Sequence, residues 1–329
     1  MTALVLCSAC KGKRQFNIEP SKNADTTNCV EIIRFDSAML SVDTAKIYSS
    51  TLDLYNKYPD FFPLYVINIL DENPADTAVV ASLIKEFVSD NEFNRINNMA
   101  LEKFSDATPY VQQLDKAFAG INQYFPEIQI PKLYFYVSGF NRAIMYNRAI
   151  LGVGIDLYID NQLPEYQDIA YDYMTERMCP SAIVPDIVAT ILFASFPYNS
   201  QHERLLDAML YRGKILYLLS VFLPDIAPNE IIGYSKFQWE WSRKYEAQIW
   251  ETILDNDDLY STNNMTIRKY IEPSPFTAPI AQESPGRLGV WLGWQIVNSY
   301  MNNNAQTTLQ DLMHESNYQQ ILQMAKYKP

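Results

Sequence analysis

Nucleophilic, metal-assisted and general-base chemistry need side chains that this chain of 329 residues supplies sparingly: two histidines, His202 and His314, and four cysteines, Cys7, Cys10, Cys29 and Cys179. That count excludes a His-rich metal centre. The cysteine with the clearest context is Cys10. It follows an apolar stretch, Leu4 to Cys7, and the small residues Ser8 and Ala9, and precedes Lys11, Gly12, Lys13 and Arg14. This is the order of a bacterial lipoprotein signal, in which an apolar run enters the membrane, small residues fit the peptidase, and the Cys10 thiol receives diacylglycerol. Acyl chains on Cys10 would hold the protein on a bilayer, each buried CH₂ contributing roughly 0.8 kcal/mol. The run is short and no Lys or Arg precedes it, so residues 1–9 read as a truncated signal remnant whose true start lies upstream. Cys7 stands where such signals usually carry Leu. A competing reading takes Cys7 and Cys10, spaced C-x-x-C, as a redox or metal pair, but no second CxxC and no following βαβ pattern accompany them. Cys29 and Cys179 read as small buried hydrophobes.

The remaining constellations are incomplete. A zinc-peptidase helix built on His202-Glu203 needs a second histidine four positions on, where Leu206 stands. His202 therefore reads as a surface residue in the first turn of a helix, and His314 as solvated. Asp156, Asp160, Glu165, Asp168 and Asp172 crowd one region and Asp255, Asp257 and Asp258 another, yet neither run has the ligand order of a calcium loop; both read as solvated acidic surface. Gly152-x-Gly154 belongs to no G-x-G-x-x-G pattern. Phe237, Trp239, Trp241, Trp250, Trp291 and Trp294 admit two readings, core at helical spacing or a platform for stacking a ligand. Gly289 and Gly293, four apart, would let another backbone approach. No catalytic, cofactor-binding or metal-ligating residue emerges, and no cofactor is implied.

The chain carries 26 Lys+Arg against 38 Asp+Glu, a formal charge of −12, so a broad phosphate-neutralising face is disfavoured and nucleic acid is not an expected partner. With 48% apolar and 19% charged residues and no repetitive tract, it has material for a packed core and is not disordered. The most apolar stretch, Ala182 to Phe196, is interrupted by Pro185 and Asp186, so the protein would be anchored and would not span.

Residues 10–28 read as the lipidated cysteine and a polar tether, and 29–329 as one globular domain without a linker or repeat. Strands are expected at Val30–Phe35, Lys132–Val137 and Ala149–Ile159. A helix is expected over Thr108–Tyr124, where Val111, Leu114, Phe118 and Ile121 form one stripe. A second follows an S-x-x-E capping box, Ser200 to Glu203, and runs to about Leu223 before Pro224. A third starts at Ser284-Pro285 and runs through Trp291 and Trp294 to Tyr300. The sum is an α+β fold, helix-rich in its second half, with a small sheet.

Several segments together resemble the gliding-motility lipoprotein family of the Bacteroidetes known as GldB. They are Ile32-Ile33-Arg34-Phe35-Asp36, Tyr58-Pro59-Asp60-Phe61-Phe62, the run Leu205 to Tyr217, Pro273-Ser274-Pro275-Phe276-Thr277, the run Glu283 to Met301, and the ending Tyr327-Lys328-Pro329. Gly289-Val290-Trp291-Leu292-Gly293-Trp294-Gln295-Ile296-Val297 is the most specific piece.

The resemblance implies a lipid-anchored protein of the cell envelope, facing the periplasm and associated with the surface-motility apparatus and its linked secretion system. It would have no enzymatic activity and would act through contacts with other envelope proteins. It agrees with Cys10 as the acylated residue. The family has been likened to zinc peptidases, which implies a zincin-like arrangement lacking the metal motif, with a strand, strand, helix, helix order within Lys132–Tyr217. Ala182–Phe196 would then take the place of the metal-binding helix with one acid, Asp186, and Arg212-Gly213 would take the place of a Glu-Gly pair. The alternatives are a divergent zinc-peptidase-like hydrolase with another ligand set, and a periplasmic binding module using Trp291 and Trp294.

Overall fold

A computed structural model describes residues 14, 16–18 and 30–329. Over these the protein is 59% helical with one small mixed sheet, an α+β fold. In chain order the elements are β1 (Ile32–Arg34), α1 (Phe35–Leu40), α2 (Ile47–Lys57), α3 (Phe62–Asn68), α4 (Thr77–Ser89), α5 (Asn91–Lys103) and α6 (Thr108–Tyr124). There follow β2 (Lys132–Tyr136), β3 (Ile144–Tyr146), β4 (Ile150–Gly154), the one-turn helices α7 (Tyr166–Ile169) and α8 (Asp172–Thr175), and α9 (Ile183–Ser195). The rest is helical: α10 (Leu205–Phe222), α11 (Pro228–Ile232), α12 (Lys236–Lys244), α13 (Glu246–Asp255), α14 (Asn264–Ile271), α15 (Leu288–Asn303), α16 (Leu309–His314) and α17 (Tyr318–Ala325).

The described residues group into two compact units, one made of residues 30–195 and 225–235, the other of residues 14, 16–18, 196–224 and 236–329. The first holds the sheet, in the order β1-β2-β4-β3, with β1, β2 and β4 parallel and β3 antiparallel on the edge. Aromatic side chains cover one face. Phe61 stacks on Tyr134 with ring centroids 4.3 Å apart and meets Phe35 at 4.9 Å. Gly152 makes room for them, since a Cβ there would stand 2.9 Å from Phe61 and 3.0 Å from Tyr136. All five residues of β4 are buried, as a central parallel strand requires.

The second unit is helical around the pair α10 and α15. Gly213 and Gly293 let their backbones touch: a Cβ on Gly293 would lie 2.0 Å from the Met209 carbonyl oxygen. Gly289 likewise faces Tyr270 of α14. Within the stretch read as a tether, Arg14 and Phe16 hold onto this unit. The Arg14 N–H donates to Asn302 Oδ1 (3.0 Å), its guanidinium to the carbonyls of Asn304 and Thr307 (3.4 and 2.8 Å), and Phe16 sets its edge on the Tyr217 ring.

Several boundaries differ from the sequence reading. The strand expected over Val30–Phe35 is confined to Ile32–Arg34, because α1 begins at the buried Phe35. The strand expected to Ile159 stops at Gly154, where a Cβ would meet the Arg142 carbonyl oxygen at 2.3 Å, and a 3₁₀ turn at Ile155–Leu157 follows. The Ser200–Glu203 pair caps nothing directly. Glu203 takes φ +50°, which delays α10 to Leu205, and the buried Asp207 accepts the Arg204 N–H at 3.3 Å and the Ser200 hydroxyl at 2.7 Å. Ser284-Pro285 also precedes its helix. Arg287 is left-handed (φ +60°), so α15 begins at Leu288, and Ser284 and Pro285 are knitted to Thr277 through the Thr277 N–H and hydroxyl.

Candidate functional site

The carboxyl ends of parallel strands are where α/β sheets most often place chemistry. Here that position, past β2 and β4, belongs to Asp156. The residue was expected among solvated acids; it is instead wholly buried. Its Oδ1 accepts the Ser138 N–H at 2.9 Å, and its Oδ2 accepts the Ser138 hydroxyl at 2.9 Å and the Phe140 N–H at 2.8 Å. Those donors come from a turn in which Gly139 and Phe140 are both left-handed, at φ +65° and +60°. The Asp156 carbonyl accepts the Tyr166 hydroxyl at 2.6 Å. Burial pushes the carboxyl above its ordinary range, opposed by the N–H groups of Phe140 and Ser138. The site is a buried carboxylate stapling a strained turn to the sheet. The Ser138 hydroxyl is itself buried, donating to that carboxylate and accepting the Asn141 N–H at 3.1 Å. The other acids of the run, Asp160, Asp168 and Asp172, are exposed as expected, and Glu165 pairs with Arg95.

The helix expected in the place of a metal-binding helix is α9. Its acid, Asp186, is occupied: it pairs with Arg177 and accepts the Tyr158 hydroxyl at 2.9 Å. The Arg177 side chain in turn fills the space over Gly233, whose φ is +74°. Arg212-Gly213 falls on α10, with Arg212 reaching Glu272 at 3.5 Å and Gly213 spent on the contact with Gly293. Among the described residues no group of three or more His, Cys, Asp or Glu side chains is placed to hold a metal ion. His202 is exposed in the turn before α10, ahead of the helix to which it was assigned, and His314 is exposed at the end of α16. Cys179 is half-buried, less enclosed than expected, with Ser181 Oγ 3.4 Å from its sulfur. Cys7, Cys10 and Cys29 lie outside the described residues.

The tryptophan platform is overturned. Trp291 and Trp294 have no exposed surface and pack inside their unit, with Trp239 ring centroids 6.3 and 5.8 Å away. At helical spacing on α15 they are core, which removes the pocket that a stacked ligand needs.

One ionisable group escaped the sequence reading. Lys214 of α10 is buried, donating to the Glu315 carbonyl at 2.6 Å with its ammonium 5.0 Å from the Tyr318 ring. Burial lowers it to about 8. The available signal was its position on a buried stripe, between Leu210 and Leu218 at four residues on either side.

Asp156, Asp186, Asp207 and Lys214 are thus each consumed in holding one segment of chain to another. Among the described residues, no helix is long and apolar enough to cross a membrane. No curated protein and no solved structure matches the chain. The family model described as gliding motility protein GldB matches residues 16–329, taking in the Thr277–Ser284 knot and the α10–α15 pair. The chain belongs to the gliding motility protein GldB family.

Proposed function

We propose that this member of a gliding-motility lipoprotein family is a noncatalytic envelope protein, tethered to a membrane by acyl chains on Cys10 and acting through contacts with other proteins of the motility apparatus and its linked secretion system. The family match over nearly the whole chain carries the reading. The state of the acids supports it: where peptidase chemistry would require free carboxylates, Asp186 is bound by Arg177 and Tyr158, and Arg212 stands in place of an acid. The finer fold reading, a zincin-like arrangement emptied of its metal set, rests on the order β2, β4, α9, α10 and belongs to the same proposal. The body would face the periplasm, with Cys10 as the attachment point and residues 11–13 joining it to the docked Arg14.

Crosslinking in intact envelopes, followed by pull-down of the full-length protein, tests this. The proposal expects envelope proteins to be captured by wild type and their yield to fall for Cys10→Ser, which lacks the tether. A stoichiometric transition metal in the purified protein, or peptide cleavage by it, would overturn the noncatalytic assignment.

A further inference from the structure

The docking of Arg14 has a geometric consequence for any lipid carried by Cys10. Four residue steps separate the two, and an extended chain covers at most about 3.6 Å per residue, so an acylated Cys10 lies within roughly 14 Å of the Arg14 dock. The dock is formed by the carboxyl end of α15 and the loop after it, through Asn302, Asn304 and Thr307. That loop is tied to the end of α17: Asn303 Nδ2 donates to the Ala325 carbonyl at 2.6 Å and Asn304 Nδ2 to the Met324 carbonyl at 3.1 Å.

The charge of these segments departs from that of the whole. The chain has a formal charge of −12, yet residues 287–310 contain no Asp or Glu, and residues 317–329 contain none while presenting Lys326 and Lys328, both exposed. Lys11, Lys13 and Arg14 precede the dock in sequence. Two acids border these segments: Asp311, which keeps its charge while accepting the Thr308 N–H at 2.9 Å, and Glu246, which accepts the Tyr327 hydroxyl at 2.6 Å. A strongly negative body held this close to an anionic bilayer is repelled least on the side poorest in acid, and basic residues near such a surface are attracted to it.

We infer that the surface formed by residues 303–308 and 324–328 is the side of its unit that rests on an anionic phospholipid bilayer. This rests on the acylation of Cys10. The test is amide hydrogen exchange of the acylated full-length protein in phosphatidylethanolamine–phosphatidylglycerol vesicles, against the same protein in neutral detergent micelles. Exchange at 303–308 and 324–328 is expected to slow about fivefold or more on the vesicles, and Lys326→Glu/Lys328→Glu to remove most of that slowing. Lys326→Gln/Lys328→Gln, which leaves no added acid, is expected to fall between. Unchanged exchange in these segments, or slowing confined to other residues, overturns the orientation while leaving the anchor intact. The intact mass of the same sample distinguishes the two failures: a chain without acyl mass on Cys10 refutes the anchor, and the orientation with it.

Discussion

Gly213 of α10 lies so close to Gly293 of α15 that a Cβ built on it would come within 2.4 Å of the Gly293 carbonyl carbon. Two helices meet backbone to backbone at Gly213, which with Arg212 reads, by likeness to a peptidase, as standing in the place of a Glu-Gly pair. Their chemistry is packing. Gly213→Ala gains roughly 1 kcal/mol of helix propensity and must then separate two packed helices, at about 1–3 kcal/mol or more. Thermal and urea unfolding should show net destabilisation for Gly213→Ala and for Gly293→Ala. Stabilities equal to wild type would mean that α10 and α15 do not touch there.

Lys214 provides a pH signature. Its pKa is lowered to about 8 in the folded state by burial, while the unfolded chain releases the same proton near 10.4. Between those values the unfolded state binds more protons, so stability must rise with pH; the cost of burying the charge is fully present below about pH 8 and is relieved above it. Compared with Lys214→Met, wild type should gain on the order of 2–3 kcal/mol between pH 8 and pH 10. Parallel stability curves for the two proteins across that window would place the Lys214 ammonium in water.

Removing the Asp156 carboxylate leaves the N–H groups of Ser138 and Phe140 without their acceptor in the interior. Asp156→Ala should cost about 3 kcal/mol or more, and Asp156→Asn, which keeps one acceptor, distinctly less. The same variants test the expectation of one domain. All five tryptophans lie at or after residue 239, in the unit that lacks Asp156, so tryptophan fluorescence follows that unit while far-UV circular dichroism follows both. A single cooperative domain shifts both signals together; a shift seen in circular dichroism alone would show two independently unfolding units.

Arg177 and Asp186 are each partly exposed, so their attraction is screened and the pair is worth less than a buried one. Its geometric role is larger, because Arg177 also packs over Gly233 and Asp186 also holds the Tyr158 hydroxyl. Arg177→Met, which keeps the packing, should cost about 1 kcal/mol or less, and Asp186→Ala about 1–2 kcal/mol through the stranded Tyr158 hydroxyl and guanidinium. Denaturant midpoints measure both, and a larger loss for Arg177→Met than for Asp186→Ala would reverse the assignment.

Periodicity made some of this architecture legible. Thr108–Tyr124 is read from one apolar stripe and forms α6 with those bounds, and the aromatic-rich run from Lys132 forms β2. The edge strand Ile144–Tyr146 carries too little local pattern: its three residues acquire their identity only by pairing with β4. Asp156 was misread for a related reason. Nothing in an acid-rich stretch indicates that one member faces N–H donors from a turn sixteen to eighteen residues earlier. Caps slipped by a few residues where Glu203 and Arg287 adopt left-handed backbone, a choice that favours glycine and is set here by tertiary contacts. Gly289 and Gly293, by contrast, announced a close backbone approach that the α10–α15 and α14–α15 contacts contain.

The central claim is that acyl chains on Cys10 tether this body. Metabolic labelling of cells with a clickable fatty acid, followed by capture of the full-length protein, tests it most directly. The account predicts strong label on wild type and none on Cys10→Ser, with Cys7→Ser labelled like wild type. Unlabelled wild type, or equal label on Cys10→Ser, would contradict it.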